Sequence, residues 1–147
     1  MHAPAPFPRR LPQRVVVAGA PGEQLTAFLR RLAALLDVPL APLADLSGPT
    51  EVARLAAFDG WVTTGEEEWA RPVLLERAEV LVRVELEAPT LAGRVRRTLR
   101  RIRSDVREPD LDWVDDVAVQ RPGLEVVRLP DPHSADSWLR SFDEEFL

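Results

Sequence analysis

A β-branched run that ends in a glycine turn and passes straight into a helical pattern constrains this chain more than any other feature. Residues 14–18 read RVVVA and residues 19–22 read GAPG. From residue 24 to 36, apolar side chains recur at 25, 28, 29, 32, 35 and 36. An unbroken apolar run suits a strand buried on both faces, and the 3.6-residue period suits a helix with one buried stripe. Strand, glycine turn and helix in immediate succession open a βαβ unit.

The pattern then recurs. Residues 38–43 (VPLAPL) form a short apolar stretch, weakened as a strand by Pro39 and Pro42. Residues 50–58 predict a short helix capped by Thr50 or Ser47. Residues 60–63 (GWVT) predict a compact strand, and residues 66–78 a helix whose acidic first turn suits the helix dipole. Residues 79–86 (EVLVRVEL) are the clearest strand after the first. They precede a helix over residues 88–104 with Pro89 in its first turn, where proline is tolerated. Residues 124–129 (LEVVRL) predict the last strand, and residues 134–146 a last helix capped by Ser134. About five strands interleaved with helices predict an α/β, three-layer sandwich around a parallel sheet. No internal repeat is visible.

A length of 147 residues fits one domain, and 46% hydrophobic with 29% charged residues is a globular composition. Residues 1–13, opening MHAPAPFPRRLP, read as a Pro-rich disordered lead-in and not as a signal peptide; residues 14–147 read as a single domain. No segment approaches the roughly 20 apolar residues of a membrane span, so the expectation is a cytoplasmic protein without a membrane partner. The absence of cysteine excludes disulfides, thiolate metal sites and cysteine nucleophiles. All 19 basic residues are arginine. With abundant Ala, Pro, Leu and Val, this suggests a GC-rich bacterial genome. A net charge of -5 argues against a general nucleic-acid binder.

The run VVVAGAPGEQLT resembles the first strand and Walker A loop of small P-loop nucleotide kinases, whose usual form is GAPGSGKT. The resemblance continues in order through LTAFLRRLAALLDVP, DGWVTTGE, RPVLLERAEVLVRVELEAPTLAGRVRRTLRR and LEVVRLPDPHSADSWLRSF, covering roughly residues 14–142. The group resembled is adenylate kinase-like and includes the DNA topology modulation proteins. The resemblance implies a P-loop NTPase fold of the nucleotide kinase-like kind. Its working loop is G-x-x-x-x-G-K-[ST], whose backbone N–H groups wrap phosphates while Lys neutralises them and Ser or Thr holds Mg²⁺.

Carried over residue by residue, Gly19 is the first glycine and Gly22 is kept. Gln24 stands where the second motif glycine belongs, Leu25 stands in the lysine position, and Thr26 is kept. Glu23 adds a negative charge where phosphate would sit. At the end of the third strand, where the resembled kinases have an aspartate, WVTTGE places Thr64, with Glu66 where asparagine is common. Asp45 comes one position later than the acid that follows the family's second strand. The resemblance therefore implies a vestigial nucleotide site comprising Gly19, Gly22 and Thr26. Arg97 and Arg101 are its phosphate contacts from the arginine-rich helix.

Other constellations point to less. Arg94, Arg97 and Arg101 line one side of the helix over residues 88–104, with Arg96, Arg100 and Arg103 beside them. Arginine binds phosphate bidentately, but a solvated face with salt bridges to nearby acids is the simpler account of this spacing. Residues 105–116 (DVREPDLDWVDD) lack the glycine and terminal glutamate of a calcium loop and read as a flexible acidic linker. His133 reads as a turn residue, and Trp61, Trp69, Trp113 and Trp138 as core or rim residues. No catalytic residue and no metal ligand is assigned.

The expected function is a non-catalytic member of the nucleotide-kinase fold acting as a binding or regulatory module. Its ligand would be a protein partner or a nucleotide held weakly, with no cofactor. The alternative is a small phosphotransferase that takes ATP and Mg²⁺ and uses arginines in place of the Walker lysine. An anion- or DNA-binding protein using the same helix is the third reading.

Overall fold

The computed structural model describes residues 11–86 and 111–144. Four parallel strands, β1 (Arg14–Ala18), β2 (Trp61–Thr64), β3 (Val80–Val84) and β4 (Glu125–Leu129), form one sheet in the order β2-β1-β3-β4. Helices α1 (Glu23–Leu36), α2 (Pro49–Ala57), α3 (Arg71–Arg77), α4 (Trp113–Gln120) and α5 (Pro132–Glu144) complete the described residues, with short 3₁₀ turns at Leu43–Asp45 and Glu68–Ala70.

Strand alternation sorts the core into two halves. Val15 and Val17 of β1, with Val80, Val82 and Val84 of β3, meet Leu25, Phe28, Leu29, Leu32 and Leu36 of α1, and Ala135 and Leu139 of α5. On the opposite face, Val16, Ala18, Trp61 and Leu81 meet Val52 and Leu55 of α2, Leu74 and Leu75 of α3, and Val114 and Val117 of α4. A fully buried side chain of this size contributes roughly 1.5–3 kcal/mol, so each helix is held mainly by its apolar stripe. The arrangement is α/β in three layers, and the four described strands replace the five expected.

The missing strand is the stretch at residues 38–43, which reduces to one parallel bridge between Leu40 and Val62. The Ala41 N–H donates to the Val62 carbonyl at 2.9 Å, and the Val62 N–H donates to the Pro39 carbonyl at 2.9 Å. Pro39 and Pro42 have no N–H to extend the ladder in either direction. The segment runs along the outer edge of β2 for a single rung.

Several boundaries also move. The helix expected from residue 66 is a 3₁₀ turn followed by α3 from Arg71, because Pro72 fits only the first turn of a helix. The start of α2 is set by Gly48, whose φ of 142° suits glycine alone, and Glu51 accepts the Ser47 N–H at 2.7 Å. Neither Ser47 nor Thr50 caps it through a side chain. Of the acidic linker expected over residues 105–116, residues 105–110 lie outside the described residues, and its end is helical instead, since Asp115 and Asp116 lie in the first turn of α4. At the chain's start, Leu11 packs on the α1 side of the core and the Gln13 carbonyl accepts the Trp61 N–H at 2.7 Å, so these residues of the expected lead-in are tied to the sheet. The helix expected over residues 88–104 lies outside the described residues.

Asp131, and not Ser134, caps α5. The Asp131 carboxylate accepts the Ser134 N–H at 2.6 Å, while the Ser134 hydroxyl accepts the Asp131 N–H at 3.3 Å. His133 therefore lies within the first turn. The Ser134 N–H holds the Asp131 carboxyl below its ordinary value of 3.8, and the Ser134 hydroxyl and His133 add to this. A folded-state value lowered in this way gives stability that is present above the unfolded pKa and lost as pH falls through the folded one. Urea denaturation from pH 6 down to below 3.8 should therefore show a steeper loss for the wild type than for Asp131→Asn, which retains a capping side chain without the titrating carboxyl. Parallel losses in the two proteins would show that the charge on the Asp131 carboxylate does not contribute.

Candidate functional site

All strands run the same way, so their carboxyl ends share one edge of the sheet. α1 leaves β1 toward one face, whereas α3 follows β2 and α4 lies on the opposite face. Ligands in open α/β sheets bind where neighbouring connections diverge in this way. The turn at residues 19–22 stands at that place, flanked by the exits of β2 and β3.

Both glycines of the turn answer to the fold. A Cβ on Gly19 would lie 3.0 Å from Val84 Cγ1 and 3.1 Å from Leu25 Cδ1, so Gly19 lets the turn close onto the end of β3 and the first turn of α1. Gly22 has φ 152° and ψ 179° with open space around it, a backbone conformation that side-chain-bearing residues rarely adopt. Its carbonyl accepts the Thr26 N–H at 3.0 Å and the Thr26 hydroxyl at 3.1 Å. Leu25 is buried against the core beneath Gly19, while Glu23, Gln24 and Thr26 are exposed. The turn thus places Gly22 and Thr26 in hydrogen-bond contact at the head of α1, with Gly19 packed over Leu25. It directs the Leu25 side chain inward. Arg97 and Arg101 lie outside the described residues.

The exit of β2 is equally committed to structure. The Thr64 hydroxyl accepts the Leu43 N–H at 3.0 Å, and the Thr63 hydroxyl donates to the Ala41 carbonyl at 2.6 Å. The two threonines thus fasten the Leu40 edge segment to β2. Asp45 is exposed on the 3₁₀ turn that follows. Glu66, Glu67 and Glu68 are exposed beyond β2, so this rim carries three acids. Among the described residues, no three acidic or histidine side chains converge as a metal site would require.

Three residues here were not predicted as a unit. A Cβ on Gly65 would lie 2.8 Å from the Trp113 ring and 3.2 Å from Val16. The indole therefore rests directly on the glycine backbone at the end of β2. Arg71 covers the other part of the assembly, with its guanidinium 4.2 Å from the Trp113 ring centroid and its Nε donating to the Gly65 carbonyl at 2.8 Å. In sequence, the only signal was a glycine directly after a buried strand.

Neither a protein-family model nor a curated protein matches the chain. Among solved structures, the unliganded sugar kinase of Janibacter sp. HTCC2649 is similar at 13% identity, with a TM-score of 0.48, over 90% of this chain and 94% of that one. Among the described residues, no helix is long and apolar enough to cross a membrane.

Proposed function

We propose that this chain is a degenerate member of the P-loop nucleotide-kinase-like fold, close to the adenylate kinase-like group. In this reading it is a non-catalytic binding or regulatory module of the cytoplasm. The observation that carries it is Leu25. The position that holds the phosphate-neutralising lysine in a working loop is an apolar side chain buried under Gly19, and the chain has no lysine to replace it. Two further features support the reading. Thr64, at the place of the metal-side or acceptor-side acid, is hydrogen-bonded to the Leu43 backbone, and Glu23 adds negative charge at the turn. Gly19 and Gly22 persist for reasons of packing and backbone conformation that are independent of any phosphate. A ligand in this reading is a protein partner, or a nucleotide held weakly without Mg²⁺.

Calorimetry of the full chain with ATP and with GTP, each with and without Mg²⁺, tests this directly. The expected result is no Mg²⁺-dependent binding tighter than about 1 mM, corresponding to about -4 kcal/mol. Micromolar, Mg²⁺-dependent binding would overturn the reading in favour of a phosphotransferase that uses arginine for phosphate contact.

A further inference from the structure

At the carboxyl edge of the sheet, β3 and β4 set two arginines side by side. Arg83 and Arg128 are register partners in the parallel pair. Leu81 and Val126 lie in the core half that includes α4, so the two-residue alternation puts both arginines on that same face. Like charges directly across a strand pair are unfavourable, so each needs an acceptor. Arg128 has one, because its Nη2 donates to the Asp115 carboxylate on α4 at 2.9 Å. That contact holds the Asp115 carboxyl below its ordinary value, with Arg83 contributing at longer range.

Arg83 is only half provided for. Its Nη2 lies 3.5 Å from Glu85 Oε1, and its Nε, shielded from solvent, has no acceptor among the described residues. The Nε–Nη2 edge of a guanidinium is the fork on which a carboxylate or phosphate takes two parallel hydrogen bonds. Glu85 reaches one corner of that fork, at a distance too long for a charge-assisted bond of about 2.7–2.9 Å. A buried donor left without a partner is costly. The two arginines, with Glu85, Leu129 and Pro130, line a cavity of about 110 Å³ that opens at this edge.

We propose that this cavity is a site for a small oxyanion, a phosphate or carboxylate group, seated on the Nε–Nη2 edge of Arg83 and flanked by Arg128. Glu85 is the internal competitor that swings away when the anion enters. None of the turn residues 19–22 lines this cavity, and the proposal does not depend on how that turn is read.

The test is a titration of the full chain with inorganic phosphate, and separately with acetate, at low ionic strength. Binding is followed through the ¹⁵N–¹H signals of the arginine Nε–H groups. Saturable binding that shifts the Arg83 Nε–H is expected. Arg83→Gln should weaken it about tenfold or more, the worth of one charge-assisted bond. Glu85→Gln should tighten it, because the competing carboxylate is gone, and this second variant keeps the test decisive if Arg83→Gln does not fold. Saturation by phosphate alone assigns the site to phosphoryl groups, and saturation by acetate alone assigns it to carboxylates. The proposal is overturned if neither anion saturates the wild type or Glu85→Gln. It is also overturned if Glu85→Gln leaves affinity unchanged.

Discussion

Combining Glu23→Ser, Gln24→Gly and Leu25→Lys should tighten ATP binding at least about thirtyfold while leaving phosphotransfer undetectable. The gain comes from one charge-assisted contact to phosphate, about 2 kcal/mol, and from removing a carboxylate beside it. The turn already supplies Gly19, Gly22 and Thr26 at the head of α1, so the changes act on chemistry more than on backbone course. Leu25→Lys also removes a buried leucine, at a cost of about 2 kcal/mol. Its methylene stem can follow the same path and bring the ammonium out to the mouth. Phosphotransfer stays absent because Thr64 offers no carboxylate. Calorimetry reads the first half of the result and transfer of labelled phosphate reads the second. Unchanged affinity would mean that the turn is not a latent phosphate loop. Wild-type turnover near the about 1–100 per second of ordinary kinases would remove the premise.

Trp61→Ala should cost about 3–5 kcal/mol, a large share of the roughly 5–15 kcal/mol that holds a domain together. Trp61 opens β2 and is completely buried among Leu81 and the helices of its face. Its indole Nε1 has no acceptor among the described residues. Trp61→Phe should therefore cost far less than Trp61→Ala, because it keeps most of the volume and removes a donor with no acceptor among the described residues. Urea denaturation midpoints compare the three proteins. Equal losses in the Phe and Ala variants would show that the indole N–H is satisfied after all.

The parts of this fold that were legible in sequence are those where a single periodicity acts alone. RVVVA and EVLVRVEL announce themselves because a strand between two helical layers is apolar on both sides. α1 does so because its stripe is long. Where two demands compete, the reading slips. In VPLAPL the apolar content asks for a strand, but the prolines withhold the N–H groups that would build one. α4 went unseen because it is short and begins inside an acidic run, with Val114 and Val117 as its buried residues. Pro72 and Asp131 were better guides to helix starts than the periodicity around them. At the candidate site, the succession of strand, glycine turn and helix located Gly19, Gly22 and Leu25 at the head of α1. The Gly65–Trp113–Arg71 assembly could not, because it joins residues far apart in the chain. Arg83 and Arg128, each a charge one residue before the end of its strand, could not be paired until the β3–β4 register was known.

The strand order has a consequence for how the chain comes off the ribosome. β1 is the first of the four described strands to be made, yet it sits in the interior of the sheet, and both of its neighbours, β2 and β3, are encoded downstream. Until Trp61–Thr64 has emerged, the Val15–Val16–Val17 run has no partner strand, and both of its hydrogen-bonding edges are open. A short, uncharged, β-branched run in that state is prone to pair with another nascent chain. Arg14 on one side and the Gly19–Ala20–Pro21–Gly22 turn on the other bracket it with a charge and with residues that resist strand extension. The glycine turn is therefore expected to limit strand extension in the nascent chain, whether or not any phosphate is bound.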